Sequence, residues 1–279
     1  MKMNQAMTFR RLRCWQMLWG LLLAAGLTGC GAPQGTSRSQ EAAAPAPMAA
    51  KAESTLGTQW GEGRESAVQT VEATRLSPER PQAVSQLQYS DEASIRRALG
   101  SDGDRQLNVL LAEGDVEWAV EDGQGRPLPI FSTRGGRSYQ LAGRNGERYE
   151  LVYTNRSQRH YEIVATVDGL DVLTGQAGSV RNAGYLLRPG QTLRIDGFRK
   201  SRREVAAFRF AAKERAYAAN APAGDARNVG VIGSALFEVR VDEHTPDLPR
   251  RRAPEVEQGD PSAFPADGRQ YAPPPQYRR

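Results

Sequence analysis

Alternation of apolar and polar residues is the feature that most restricts the fold of this chain. Residues 149–153 and 161–167 each place an apolar side chain at every second position, on either side of a turn around Asn155. A period of two is typical of strands that cover a core with one face. The pattern predicts an antiparallel hairpin, and Asp168-Gly169 predicts a tight turn directly after it.

Further strands are predicted at short spacing, with turns such as Pro189-Gly190 between them. The last predicted strand is largely apolar, which indicates a central strand buried on both faces at its start, and its Gly230 and Gly233 predict a bulge or a close backbone contact. Many short strands without a long helical pattern predict a mainly β fold, an antiparallel β-sandwich. The additional predicted strands are 116–120, 128–131, 138–141, 184–187, 192–196, 205–210 and 229–241.

Two short helices complete the predicted fold. Residues 91–99 begin with acidic residues, continue with basic ones and are followed by Gly100, which are the usual signals for the start and stop of a helix. Residues 211–219 are the second predicted helix, of one or two turns.

The first 29 residues have the pattern of an export signal. Four basic residues and no acidic residue come before or at the edge of an apolar run of 11 residues, 17–27. A mature membrane-spanning helix needs about 20 apolar residues, so this run is too short to span a bilayer. It matches the apolar centre of a secretory signal peptide.

The four residues Leu27-Thr28-Gly29-Cys30 directly follow this apolar centre and resemble a bacterial lipobox. The resemblance implies cleavage before Cys30, a diacylglycerol on its sulfur and acylation of the new amino group. Two or more acyl chains hold a protein stably at a membrane, whereas one chain gives only marginal attachment. Because Gly31 replaces the aspartate that retains such proteins in the inner membrane, the resemblance implies an outer-membrane location, on the periplasmic face.

Removal of the leader changes the charge of the protein. The whole chain has 37 basic and 32 acidic residues and a formal charge of +5, but four of the basic residues belong to the leader. The remaining 33 against 32 leave a charge of +1, which argues against nucleic acid as a partner. Cys14 leaves with the leader and Cys30 carries lipid, so we expect no disulfide. Two histidines in the whole chain argue against a histidine-built zinc site, and we expect no cofactor.

Composition divides the mature chain into four regions. Residues 30–54 are predicted to be a disordered tether, because 16 of the 24 residues after Cys30 are Ala, Pro, Gly or Ser. Residues 55–114 form either an N-terminal extension of the sandwich or a small subdomain, and residues 115–243 form the β-sandwich. Residues 244–279 are predicted to be a disordered, Pro- and Arg-rich tail. Its three prolines at 273–275 favour polyproline II, which is either solvated or recognised by an aromatic groove of a partner.

No catalytic motif stands out in the sequence, and we expect no enzymatic activity. The two histidines, His160 and His244, are far apart, and His160 is expected on the exposed face of its strand. Asp168, Asp171 and Asp196 are candidate acids for a hydrolase, but nothing in the pattern sets them apart. The acidic, glycine-containing segments 101–104 and 168–171 are interpreted as turns, with calcium binding as the alternative.

Four cations in five residues form the one local cluster with binding character: Arg199, Lys200, Arg202 and Arg203. Arginine side chains suit phosphate and carboxylate groups, which in the periplasm include lipopolysaccharide phosphates and the stem-peptide carboxylates of peptidoglycan. The cluster is therefore a candidate anion-binding site, and a solvated loop between strands is the alternative.

The segment from Thr166 to Phe237, which includes TVDGLDVLTG and GYLLRPGQTLRIDGFRKS, resembles a family of exported proteobacterial proteins of unknown function. The resemblance implies a shared domain and transfers no catalytic residue. The sequence as a whole predicts an outer-membrane lipoprotein with a non-enzymatic binding or structural role, whose partner is an envelope protein, peptidoglycan or lipopolysaccharide. An envelope hydrolase acting on glycan or peptide, and a carrier of lipid or another small ligand, are the alternatives.

Overall fold

The computed structural model describes residues 54–100, 103–133, 136, 138–241, 262–263 and 271–277. The predicted leader, Cys30 and nearly all of the tether lie outside these residues, as does His244. The described chain is mainly β, with two sheets packed against each other and two short helices. This confirms the predicted fold class.

The described residues form eighteen strands and two helices, joined by turns that include single turns of 3₁₀ helix at Ala112–Gly114, Lys213–Arg215 and Ala226–Asn228. In chain order they are β1 (Leu56–Glu65), β2 (Gln69–Thr70), β3 (Ala73–Arg75), β4 (Ala83–Asp91), α1 (Glu92–Leu99), β5 (Gly103–Gln106), β6 (Val109–Leu111), β7 (Val116–Asp122), β8 (Ile130–Thr133), β9 (Tyr139–Gly143), β10 (Arg148–Asn155), β11 (His160–Val167), β12 (Leu170–Asp171), β13 (Tyr185–Leu187), β14 (Thr192–Ile195), β15 (Gly197–Arg199), β16 (Glu204–Ala212), α2 (Tyr217–Asn220), β17 (Val231–Val241) and β18 (Ser262–Ala263).

The first sheet is antiparallel and has the order β1-β16-β10-β7-β6, with β14 paired to β10 and β15 paired to β16. The second sheet has the order β2-β18-β13-β11-β17-β4-β9-β8-β5, with β12 paired to β11 and β3 paired to β17. It is mixed, because β4 runs parallel to β9 and β18 runs parallel to β2.

Aromatic side chains fill much of the space between the two sheets. Tyr149 of the first sheet stacks on Phe208 and Phe210, with ring centroids 5.3 and 4.3 Å apart. Phe210 in turn contacts Tyr89 of the second sheet at 5.3 Å. All four rings are fully buried. Each such pair adds about 0.5–1.5 kcal/mol to the effect of burial, so these contacts help to hold the sheets face to face.

Residues 55–114 are built into both sheets. β1 pairs with β16 along nearly its whole length, and β6 pairs with β7. β4 pairs with β17 on one side and with β9 on the other. The N-terminal region and residues 115–241 therefore share one core, and position 115 is not a boundary in the fold.

The predicted hairpin between residues 148–153 and 161–167 is wrong. Both strands exist, but β10 pairs with β7 in the first sheet, and β11 pairs with β17 in the second. Residues 156–159 carry the chain across the core, and Asn155 fixes this connection by donating from its side-chain amide to the carbonyl of Arg159 at 2.7 Å. The apolar faces of β10 and β11 therefore point into the core from opposite sheets, and this arrangement explains their alternating apolar residues as well as a hairpin would.

The other predicted strands are present, with bounds shifted by at most two residues. The Asp168-Gly169 turn is confirmed: both residues have positive φ, +52° and +78°, as a two-residue type I′ turn requires, and they join β11 to β12. The central position of β17 between β11 and β4 is also confirmed. It is buried on both faces at residues 234–237 rather than at its start.

The two helices differ in how well they were predicted. α1 begins after Asp91, whose side chain accepts from the amide of Ser94 at 2.9 Å, and it is followed by Gly100 at φ +62°, as expected. Of the predicted helix 211–219, the first two residues continue β16, which pairs with β1 through Ala212. The helical part, α2, starts at Tyr217.

Part of the predicted disordered tail packs on the sandwich. Residues 262–263 form β18 between β13 and β2, and Ala263 is buried. Residues 271–277 lie against α2 and β15, where Ala272 is buried. For these nine residues the prediction of disorder is wrong, because backbone hydrogen bonds and small buried side chains fix them to the fold.

Candidate functional site

A cleft of about 810 Å³ runs along β4 and beside β6, and its lining includes Val164 and Ala235, which lie apart from the main core. We call it the β4–β6 cleft. Specific ligand sites usually enclose about 300–1,000 Å³, so its size suits a binding site. Four segments line it, 82–86, 109–112, 178–180 and 233–235, together with Tyr139, Val164 and Thr166.

One wall of the cleft is a strand edge that no strand of the described chain covers. β4 pairs with β17 through residues 83–88, but with β9 only through residues 87–91. The amide of Tyr89 donates to the carbonyl of Gly230, so the odd-numbered residues of β4 direct their backbone groups toward β17. In an antiparallel ladder this alternation turns the N–H and C=O groups of Val84 and the N–H group of Gln86 toward the cleft, whereas the C=O group of Gln86 faces Tyr139 at the start of β9.

Large apolar side chains are exposed around this edge. Val84 is 67% exposed, Leu110 of β6 is 61% exposed and Val180 is 39% exposed. They account for three of the six large apolar side chains that are exposed among the described residues. Scattered single apolar residues are normal on a protein surface, whereas a group of them around one cleft is typical of an interaction site.

The described residues that line the cleft include no Asp, Glu, Lys, Arg, His or Cys. The polar groups that they offer are the amides of Gln82 and Gln86, the hydroxyls of serine, threonine and tyrosine, and the backbone. Such a surface donates and accepts hydrogen bonds but holds no charge and no group that titrates near neutral pH. It is therefore suited to binding an uncharged partner.

Asp168, one of the candidate acids, lies in the interior between the sheets. Its carboxylate accepts from the hydroxyl of Tyr89 at 2.6 Å and from the amides of Thr58 and Gly230 at 2.8 Å each. Thr58 Oγ1 also lies 2.6 Å from the hydroxyl of Tyr149, so the network joins β1 and β10 of the first sheet to β4 and the β11–β12 turn of the second. Burial raises the pKa of Asp168 to about 6, against the opposing effect of its donors. The carboxylate is 1% exposed and acts as a link between the sheets.

The other two candidate acids lie in different surroundings. Asp171 is buried and accepts from the amide and hydroxyl of Thr174 at 2.8 and 2.7 Å. Asp196 accepts from the hydroxyl of Ser66 at 3.1 Å. Burial raises the pKa of both carboxyls. Neither they nor Asp168 line the β4–β6 cleft, and the half-buried His160 does not line it either.

The predicted cation cluster is divided by the fold. Arg199 is buried, and its guanidinium donates to the backbone carbonyl of Ser66 and lies 3.3–3.4 Å from the hydroxyl of Tyr185. Lys200 pairs with Glu204 at 3.1 Å. Arg202 and Arg203 are exposed.

The inclusion of Arg199 in an exposed anion site is therefore wrong. In the sequence, Arg199 reads as the first member of a basic loop, but it is the last residue of β15, a strand buried at all three positions. Anion binding by Arg202 and Arg203, with Lys200, stays a hypothesis.

Sequence reasoning missed the residues of the cleft. Val84 and Leu110 lie next to core residues in their strands. The neutral residues around them alternate between apolar and polar as in any strand, so the sequence does not indicate that this strand edge is open. No known protein family, curated protein or solved structure matches the chain. In the part of the chain that the structure describes, no helix has the length and apolar character needed to span a membrane. Lipidation of Cys30 and the resemblance to exported proteobacterial proteins stay predictions.

Proposed function

We propose that this protein is a lipid-anchored lipoprotein of the outer membrane. Its sandwich binds an extended, uncharged segment of another envelope protein in the β4–β6 cleft and catalyses no reaction. The observation that carries the proposal is the combination in one cleft of exposed apolar side chains with a strand edge that no described strand covers and, among the described residues, a lining without ionisable groups.

An open strand edge favours a polypeptide as the occupant. An extended segment that pairs with this edge satisfies the backbone groups of Val84 and the N–H group of Gln86, and its side chains contact the exposed Val84 and Leu110. In such strand addition the main chain supplies affinity and the side-chain positions supply specificity. Four residues of edge span about 13 Å, enough for a short segment.

The neutral lining argues against the charged envelope partners. Lipopolysaccharide phosphates and the stem-peptide carboxylates of peptidoglycan require cations, and removing an unpaired charge from water into such a cleft is costly. The exposed cations Arg202 and Arg203 do not line the cleft. A neutral segment of a protein meets no such penalty. A small apolar ligand is the second occupant compatible with the cleft, and native mass spectrometry of the purified protein detects it.

The predicted tether gives the sandwich access to partners near the membrane. From Gly31 to Ser54 there are 24 residues, and a flexible chain of this length has a root-mean-square reach of about 25–30 Å. Under the prediction of a disordered tether, lipid on Cys30 holds the sandwich near the bilayer surface. This arrangement suits capture of a membrane-associated partner.

Site-specific photo-crosslinking in intact cells tests the proposal. A photoreactive amino acid at Val84 or Leu110 is expected to give a discrete protein adduct. The same group at Leu76, which is 48% exposed but does not line the cleft, is the matched control. Mass spectrometry is expected to map the adduct to an extended segment without charged residues.

Three results would contradict the proposal. They are equal adducts at Leu76 and in the cleft, a bound lipid instead of a protein, and a cross-linked segment that is rich in charge. Turnover of an ester, a glycan or peptidoglycan by the purified protein, abolished by a point substitution, would contradict the non-enzymatic role.

A further inference from the structure

The C-terminal segment Tyr271–Tyr277 follows a groove on the sandwich that is separate from the β4–β6 cleft. Three hydrogen bonds hold it there. The amide of Ala272 donates to the carbonyl of Arg199 at 2.9 Å, the hydroxyl of Tyr217 donates to the carbonyl of Pro273 at 2.6 Å, and the amide of Gln276 donates to the carbonyl of Asn220 at 2.7 Å. The contacts are spaced along the segment, so the whole stretch is held.

Aromatic rings support the donor at the centre of this groove. Tyr217 packs against Trp60 and Phe198, with ring centroids 4.9 and 4.6 Å apart. Its ring is buried, so these contacts fix the direction of its hydroxyl toward the carbonyl of Pro273. A buried tyrosine ring that holds its hydroxyl group in a fixed direction is suited to binding a backbone carbonyl.

A glycine opens the groove floor to the backbone of the segment. Gly175 has φ +65°, and a Cβ at this position would lie 2.9 Å from the Cα and Cβ of Ala272. Both the conformation and the close approach favour glycine here. The groove is therefore shaped for a chain that lies directly on it, and Ala272 is buried against it.

The three consecutive prolines suit this groove for a physical reason. Proline has no N–H group, so the half-buried Pro273 and Pro275 bring no donor that docking would leave unsatisfied, while Pro274 is exposed, and carbonyls are the only backbone hydrogen-bonding groups of all three. They also hold the extended polyproline II form before docking, which lowers the entropy cost of binding. Residues on either side, Ala272 and Gln276, supply the two backbone donors.

We propose that this groove is a binding site for extended proline-rich peptides, and that the chain's own C-terminal segment fills it reversibly. A separate peptide with the sequence of this segment therefore binds in the groove when the internal segment is disabled. The groove and its occupant are independent of the β4–β6 cleft. Because the internal segment is tethered, it competes at an effective concentration of about 1 mM.

The test uses the full-length protein in detergent and a fluorescent synthetic peptide of residues 271–279. In one variant, the internal segment is disabled by Pro273→Gly, Pro274→Ser and Pro275→Gly. The peptide is expected to bind this variant with a Kd below about 0.1 mM and to bind the unaltered protein at least about tenfold more weakly, because the tethered segment competes. A peptide carrying the same three replacements is the control and is expected not to bind.

A second substitution tests the role assigned to Tyr217. Tyr217→Phe in the disabled variant keeps the ring but removes the donor to Pro273, and it is expected to weaken peptide binding about fivefold, the usual effect of one hydrogen bond. Tyr277→Phe in the peptide is the matched control with no expected effect, because Tyr277 is exposed. Absence of saturable binding to the folded variant, equal binding to both proteins, or no effect of Tyr217→Phe would overturn the proposal.

If the disabled variant does not fold, hydrogen exchange of the unaltered protein tests whether the C-terminal segment occupies the groove reversibly. The amides of Ala272 and Gln276 are expected to be protected and yet to exchange well before the core strand β16, because the segment opens while the sandwich stays folded. Unprotected amides would show that the segment does not occupy the groove. Exchange together with β16 would show that it is not released reversibly.

Discussion

Replacement of Asp168 by asparagine tests the buried link between the two sheets. Asparagine has nearly the same shape as aspartate and tolerates the positive φ of this turn, so the substitution changes hydrogen bonding with little change in backbone strain. Oδ1 keeps the hydroxyl of Tyr89 and the amide of Gly230, whereas the new amide group faces the amide of Thr58 in place of Oδ2.

The expected loss follows from these three bonds. The buried amide of Thr58 loses its acceptor, which costs about 1–3 kcal/mol. The two remaining bonds change from charge-assisted to neutral, which removes about 1 kcal/mol each. These losses sum to about 3–5 kcal/mol, and removal of the charge relieves part of the desolvation cost that raises the pKa of Asp168, so Asp168→Asn is expected to lower the free energy of unfolding by about 1–3 kcal/mol.

Chemical denaturation followed by tryptophan fluorescence at pH 7.5 measures this loss. At that pH the carboxylate of Asp168 is ionised, since its pKa is about 6. Asp104→Asn, on an exposed residue of β5, is the matched control and is expected to change stability by less than about 0.5 kcal/mol. If Asp168→Asn also changes the unfolding free energy by less than 0.5 kcal/mol, the network does not join the sheets and the reasoning is refuted.

Three further substitutions test other parts of the structure. Asp91→Ala removes the cap of α1 and is expected to cost about 1 kcal/mol at pH 7. Hydrogen bonds from Ser94 and Thr55 lower the pKa of Asp91 to about 2, below its ordinary value. The contribution of Asp91 to stability is therefore present above pH 4 and is lost as the pH falls toward 2. If the free energy of unfolding of the unaltered protein and that of Asp91→Ala depend on pH in the same way over this range, the assignment is contradicted. Glu162→Gln weakens the buried ion pair with Arg75, whose two N–O contacts are 2.6 and 2.9 Å. It is expected to lower the free energy of unfolding by about 2–4 kcal/mol, measured by chemical denaturation. An unchanged denaturation midpoint would show that the pair does not contribute to stability. Cys30→Ser is expected to block signal cleavage and to remove the protein from the outer-membrane fraction, and a variant that is cleaved normally and stays in the outer membrane would contradict lipidation.

Local chemistry was enough to predict most strands of residues 116–241, α1 and the Asp168-Gly169 turn, but not the strands before residue 116. Alternation reports which side of a strand is buried, and an Asp-Gly pair reports the positive φ that a type I′ turn needs. Neither reports a partner. β10 and β11 were predicted to pair because they follow each other in the chain on either side of a turn around Asn155, yet the short connection that the structure shows closes a hairpin or crosses between sheets equally well.

The parts that sequence could not predict depend on residues that are distant in the chain. The role of Asp168 depends on Thr58, 110 residues before it, and the burial of Arg199 depends on the carbonyl of Ser66, 133 residues before it. A basic run gives no sign that one member turns inward. The β4–β6 cleft depends on one edge of residues 83–86 that no described strand covers, and an unpaired edge has no signature in composition.

The central claim is that the β4–β6 cleft binds an uncharged protein segment, and one crosslinking experiment tests it most directly. A photoreactive group at Val180, which lines the cleft, reports whether the cleft is occupied. Two variants are compared: Val84→Glu places a charge in the cleft, and Leu76→Glu places a charge outside it. Both substituted side chains are exposed, so neither change disturbs the core. Val84→Glu is expected to lower the yield of the Val180 adduct about tenfold or more, because a charge is costly to bury, and Leu76→Glu is expected to leave the yield unchanged. An adduct that persists with Val84→Glu, or that falls equally with Leu76→Glu, would contradict the central claim.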